Sequence, residues 1–195
     1  MTGVAVIGAG SVGSSLARAF HAAGLGVVLG ARDPAAVPDG PVRAVGIAEA
    51  LAGAGTVVLA VMGTAVEELL TEHGGALAGA LVVDATNRIG EGGVLHSADT
   101  VARLAPGARY ARAFSNVGVE LFDRPLFDGV PADLLFSSSE ADRSAVERLI
   151  TAVGLRPAYV GPDQYDDLDA SLRLCYRLTQ VRGGGRHLGW RIVSG

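Results

Sequence analysis

The sequence is short of several things that define whole classes of protein. It has one cysteine, Cys175, so no intrachain disulfide can form, and no CxxC pair or Cys/His cluster offers a metal site. A reducing compartment suits such a chain. No apolar run approaches the roughly 18 residues needed to span a bilayer. The N-terminus passes at once into a short apolar run and then glycines, without the basic leader of a secretory signal. These absences lead us to expect a cytoplasmic protein with no membrane partner. Charged residues make up 18% of the chain, and the formal net charge of -4 is spread without long single-sign runs. That balance argues against a nucleic-acid partner, which would demand a basic footprint. Lysine is missing: all 16 basic residues are arginine, which we attribute to GC-rich coding and give no mechanistic weight.

What is present points to a compact globular chain with many tight turns. Hydrophobic residues account for 49% of the 195 positions and glycine for 28 of them. A chain of this length buries a sizeable core as one domain, or as one domain with a short extension.

Val4 to Ile7 is a β-branched apolar run without a polar face, the pattern of a strand buried on both sides of a parallel sheet. Gly8, Gly10 and Gly13 follow directly in the spacing G-x-G-x-x-G. Ser11 to Ala23 then reads as a helix, with Val12, Leu16, Ala19, Phe20 and Ala23 at three-to-four spacing. Each glycine has a mechanical task in a dinucleotide site. Gly8 makes the tight turn, Gly10 lets the backbone approach a pyrophosphate, and Gly13 lets helix and strand pack closely. The anion rests on the helix N-terminus, where unpaired N–H groups and the macrodipole favour negative charge.

The second strand, Val27 to Gly30, has its tip at Ala31, where an acid ordinarily holds the ribose hydroxyls of NAD. Here the tip carries no carboxylate. Asp33 stands just before Pro34, in a position typical of turn geometry, whereas Arg32 is placed to fork onto a 2′-phosphate. Such a contact is worth about 1.5 to 3 kcal/mol, or roughly ten- to a hundred-fold in preference for NADP over NAD. Ser11 can add a hydroxyl or serve simply as an early helix residue.

The alternation continues. Strands are expected at Val42 to Val45, Thr56 to Val61, Leu81 to Asp84, Arg109 to Phe114, Asp133 to Ser137 and Pro157 to Val160. Helices are expected at Ile47 to Ala54, at Ser97 to Leu104, from about Ala141 to Val153, and up to His73 from a capping box of Thr64 and Glu67. The pattern predicts an α/β chain of Rossmann type: a doubly wound, mostly parallel sheet with right-handed crossovers and a short C-terminal helical extension. Residues 1–162 form the NADP-binding domain on this reading, and 163–195 a helix and tail packed on it or on a dimer partner. In such a sheet the C-terminal strand ends form the binding edge. Val61, Met62, Gly63, Asn87, Ser115 and Asn116 therefore become candidates for the nicotinamide end, each Asn being equally suited to a turn.

From Asp163 to Val181 a helical pattern places Leu168, Leu172, Cys175 and Leu178 on one face, with Leu174 and Val181 adjoining. So wide an apolar face calls for cover by the sheet, a twin subunit or a planar ligand. Arg173, Arg177, Arg182 and Arg186 are available to an anionic partner or to solvent. None of His21, His73, His96 and His187 is nominated as catalytic.

With these residues in place, the chain resembles the NADPH-dependent oxidoreductases of the deazaflavin coenzyme F420. The segments that carry the resemblance are VAVIGAGSVGSSLARAF, the GAR of Gly30 to Arg32, VVDATN, ARAFSNVG and LRPAYVGP. The resemblance implies that Gly8, Gly10, Ser11, Val12 and Gly13 hold the pyrophosphate and that Arg32, beside Ala31, holds the 2′-phosphate. It implies hydride transfer between NADP(H) and F420, with no side-chain nucleophile or metal. The chain departs from the family at Ala31, which lacks a hydroxyl, at Arg112 and Ser115, where Lys and an Asn-Thr pair are usual, and at Asp169, near a position often held by Glu. Two other readings stay open: an NADPH-dependent reductase of a small imine or carbonyl substrate, and a regulatory module that binds NADP without turnover.

Overall fold

The computed structural model describes residues 3–89 and 93–193. Its elements follow in chain order as β1 (Val4–Ile7), α1 (Ser11–Ala22), β2 (Val27–Ala31), β3 (Ala44–Gly46), α2 (Ile47–Leu51), β4 (Thr56–Leu59), α3 (Val66–His73), β5 (Leu81–Asp84) and α4 (Ala98–Leu104). The second half contains β6 (Arg109–Arg112), α5 (Glu120–Asp123), β7 (Leu126–Phe127), β8 (Val130–Pro131), β9 (Asp133–Ser138), α6 (Glu140–Ala152), β10 (Arg156–Tyr159) and α7 (Tyr165–Val181). Eight strands form one sheet in the order β10-β9-β6-β5-β4-β1-β2-β3. β1 to β6 are parallel, β9 runs antiparallel to β6, and β10 is parallel to β9.

The short apolar strands have no polar face because helices cover both sides of the sheet. On one face Val6 joins Leu16 and Phe20 of α1 and Leu149 and Ile150 of α6. On the other, Ala5 and Ile7 meet Leu51 of α2, Leu70 of α3 and Val101 of α4. Alternate residues of β1 thus feed opposite cores, as the two-residue strand period requires. The expected Rossmann-type fold with a C-terminal helix is present. None of its described helices is long and apolar enough to cross a membrane.

Several expected boundaries are corrected. Thr64 does not cap a helix with Glu67: Gly63–Ala65 form a 3-10 turn in which the Ala65 N–H donates to the Met62 carbonyl at 2.8 Å, and α3 begins afterwards at Val66. α2 stops at Leu51 instead of Ala54, since Ala52 is extended and Gly53 has φ +73°. The third strand covers Ala44–Gly46, and β4 closes at Leu59 instead of Val61. β6 ends at Arg112 instead of Phe114, because Phe114 turns the chain with φ +64°. α5 and the β7-β8 hairpin were not expected; each is too short to leave a periodic signature.

Candidate functional site

The first turn after β1 is built by steric exclusion. Gly8 has φ +117°, and a Cβ there would sit 2.5 Å from the Ala60 carbonyl oxygen; a Cβ on Gly13 would sit 1.8 Å from the Gly8 carbonyl oxygen. Only glycine lets α1, β1 and the end of β4 approach this closely. Gly10 differs, for nothing lies within 4 Å of its Cβ position, although it is the N-cap of α1. That helix starts without a side-chain cap and without an acid in its first turn. Its first N–H groups, from Ser11 (exposed), Val12 (half-buried) and Gly13 (buried), are therefore left for an anion.

A cavity of about 570 Å³ runs from this turn toward α3, lined by Gly10, Ala31, Arg32, Val61, Met62 and Leu69 among others. Ala31 is buried at the tip of β2 and Arg32 is exposed. Among the described residues Arg32 has no ion pair or hydrogen bond to occupy its guanidinium. Asp33 is differently engaged: its carboxylate accepts the Ala35 N–H at 3.2 Å and caps the 3-10 turn Pro34–Ala36.

Farther along the edge Val61 is half-buried and Met62 stands 76% exposed. Gly63 is pressed under the next loop, its Cβ position 2.6 Å from the Arg88 nitrogen and from the Asn87 carbonyl carbon. Asn87 donates from Nδ2 to the Ser115 carbonyl at 2.8 Å, which brings two of the expected site segments together. Ser115 is buried, and its Oγ has no hydrogen-bond partner among the described residues. Asn116 follows Ser115 in the same segment, and its Oδ1 has no hydrogen-bond partner among the described residues. It is fully buried, with Nδ2 donating to the Leu135 carbonyl at 3.3 Å and to Ser171 Oγ of α7 at 3.2 Å. The intervening Phe114 holds its left-handed backbone through edge-on packing against Phe20 and Phe122, at ring separations of 6.1 and 5.9 Å.

A buried polar cluster behind this wall was not nominated from the sequence. Arg112, Asp84 and Asp169 are at most 1% exposed. Arg112 meets Asp84 at 3.2 Å and Asp169 at 2.7 Å. Tyr110 donates its hydroxyl to Asp84 at 2.6 Å; burial first, then the neighbouring Asp84 charge, raises its pKa well above the usual phenol value. A signal existed in the sequence, since an acid ends one apolar strand and an arginine ends the next, and buried charges require partners. His96, Asp166 and Asp169 bring possible metal-ligand atoms within 4.8 Å of one another. The Asp169 oxygens, however, already accept from Arg112 and from the Leu95 and His96 N–H groups. A cation would have to displace those donors.

Fold and edge together are those of a Rossmann-type dinucleotide-binding unit. Over residues 3–88 the chain matches the family described as NADP oxidoreductase, coenzyme F420-dependent. No curated protein matches the chain. Among solved structures it is similar to a candidate F420-dependent NADP-reductase from Arthrobacter sp. FB24, with TM-score 0.84, 22% identity and 100% of each chain covered. A hypothetical protein from Sinorhizobium meliloti is 28% identical, with TM-score 0.70 over 99% of this chain and 93% of that one. A reductive aminase from Aspergillus terreus, in complex with NADPH and ethyl levulinate, is 21% identical, with TM-score 0.72; the match covers 94% of this chain and 63% of the aminase.

Proposed function

We propose that this protein exchanges a hydride between NADP(H) and the deazaflavin coenzyme F420. The observation that carries the reading is the family match over residues 3–88, which contains the whole glycine turn, Arg32 and the Met62–Gly63 edge. The residues present fit the nucleotide: an uncapped helix N-terminus, open space at Gly10, and an arginine with no partner among the described residues beside a strand tip that lacks an acid.

On this reading Gly8, Gly10, Ser11, Val12 and Gly13 hold the pyrophosphate, and Arg32 beside Ala31 grips the 2′-phosphate. Val61, Met62, Gly63, Asn87 and Ser115 wall the nicotinamide, while Asn116 supports that wall from behind. The two bound cofactors supply the hydride chemistry themselves; the chain orients the rings and excludes water. Residues 1–162 serve as the nucleotide-binding unit and 163–195 as its extension.

α7 leaves Leu174, Leu178 and Val181 exposed at helical spacing, which we read as the contact face of a homodimer. A free thiol and reduced cofactors suit the cytoplasm.

The test is to mix purified protein with NADPH and oxidised F420 and follow loss of the deazaflavin absorbance, with NADH in parallel. Turnover with NADPH and little with NADH is expected. NADPH binding without F420 turnover would reject the acceptor and direct the search to small imines and carbonyl compounds. Binding with no turnover on any of these would leave a nucleotide sensor.

A further inference from the structure

We propose that Arg112 is the positioning residue of the nicotinamide half of the groove, acting through Asn87. The inference rests on the NADP reading above and adds a residue and a polarity to it.

A guanidinium has five N–H donors in a fixed fork. All five of Arg112 are used. Nε donates to Asp169 Oδ1 at 3.2 Å, Nη1 to Asp84 Oδ2 at 3.2 Å and to the Thr86 carbonyl at 2.7 Å, and Nη2 to Asp169 Oδ1 at 2.7 Å and to Asn87 Oδ1 at 2.9 Å. The carboxylates are equally committed. Asp84 also accepts from the Thr86 N–H at 2.8 Å, the Thr86 hydroxyl at 2.6 Å, the Ser97 N–H at 2.8 Å and the Tyr110 hydroxyl at 2.6 Å. Asp169 accepts the Leu95 and His96 N–H groups at 2.7 and 3.1 Å. One buried side chain therefore pins the tip of β5, the loop after it, the segment before α4, and α7.

One of the five bonds reaches Asn87 on the groove wall, and together with the bond from Asn87 to Ser115 it settles how the amide stands. Arginine can only donate, so the atom of Asn87 that faces Arg112 must be its oxygen. A backbone carbonyl can only accept, so the atom facing Ser115 must be its nitrogen. The amide cannot flip without breaking both bonds. Asn87 is half-buried at the edge, and one of its two amide hydrogens is used on Ser115. The second is offered as a donor, directed at an oxygen of the nicotinamide carboxamide or its ribose. Lysine, with a single ammonium and no fork, cannot reproduce the five-point hold.

The experiment compares two ligands: NADPH, and adenosine 2′,5′-bisphosphate, which has the adenosine end and no nicotinamide. Affinities are measured by calorimetry for the wild type, Arg112→Lys and Asn87→Ala. Arg112→Lys should weaken NADPH by about ten-fold, the size of one lost hydrogen bond at the ligand, and leave the bisphosphate within about two-fold of wild type. Asn87→Ala, which removes the donor and keeps the pin, should give the same split and decides the matter if Arg112→Lys does not fold. Equal weakening of both ligands in a folded Arg112→Lys would mark a general packing role and overturn the proposal. NADPH affinity unchanged by Asn87→Ala would also overturn it. Failure of the wild type to bind NADPH would instead overturn the cofactor reading on which the proposal depends.

Discussion

Gly10 and Gly13 carry opposite burdens. An alanine at 13 would press its methyl into the Gly8 carbonyl, whereas the space at 10 is open. Gly13→Ala is therefore expected to lower the melting temperature by several degrees or prevent folding, as read by circular dichroism. Gly10→Ala should melt close to wild type and yet lose most of its affinity for NADPH in calorimetry, since its methyl meets only the ligand. Arg32 differs from both in needing no partner for the fold. Replacing it by alanine should weaken NADPH by about ten- to a hundred-fold while changing NADH little. Equal effects on the two nucleotides would reassign the 2′-phosphate contact. The glycine turn was legible because every step from spacing to function is local in sequence. The Arg112 pin was not, because it joins residues 84, 112 and 169 through tertiary contacts that no short window contains.

Among the elements, regular strands and helices were legible wherever a full period was present, and errors collect where one residue ends an element. Phe114 closes β6 through a backbone conformation that its neighbours Phe20 and Phe122 enforce, and apolar composition alone suggested that the strand continues. The antiparallel return of β9 was equally hidden, for the strand itself reads the same in either direction. The C-terminal tail has its own anchor at the start of that strand. Asp133 pairs with Arg156 and accepts the Ile192 N–H at 2.5 Å, while its own N–H donates to the Trp190 carbonyl at 2.9 Å. Burial alone would raise the Asp133 pKa, but the bonds from Arg156 and Ile192 outweigh it and hold the pKa below the usual carboxylate value. A depressed pKa stabilises the fold above the unfolded value of about 3.9 and loses that contribution as pH falls through the folded one. Asp133→Asn should thus melt a few degrees below wild type at neutral pH, and the gap should narrow below about pH 4 in a series of thermal melts.

For the whole molecule, the proposed homodimer makes α7 its contact face. α7 presents Leu174, Leu178 and Val181, and on that proposal the wild type scatters light as a dimer and Leu178→Glu as a monomer; a mass unchanged by the substitution would reject α7 as the contact face. The sheet is poorly suited to the task. β10 is an edge strand, and the Arg156 and Val160 N–H groups donate inward to the Ala132 and Phe136 carbonyls at 2.9 and 3.0 Å. By the alternation of the strand, residue 157 turns its nitrogen outward, and residue 157 is proline. The free rim is thereby missing a donor at its centre, while the opposite rim, β3, is only three residues long. A β-strand added along β10 would lack a hydrogen bond at its centre and one added along β3 would find only a short template, so both rims disfavour growth of the sheet by strand addition.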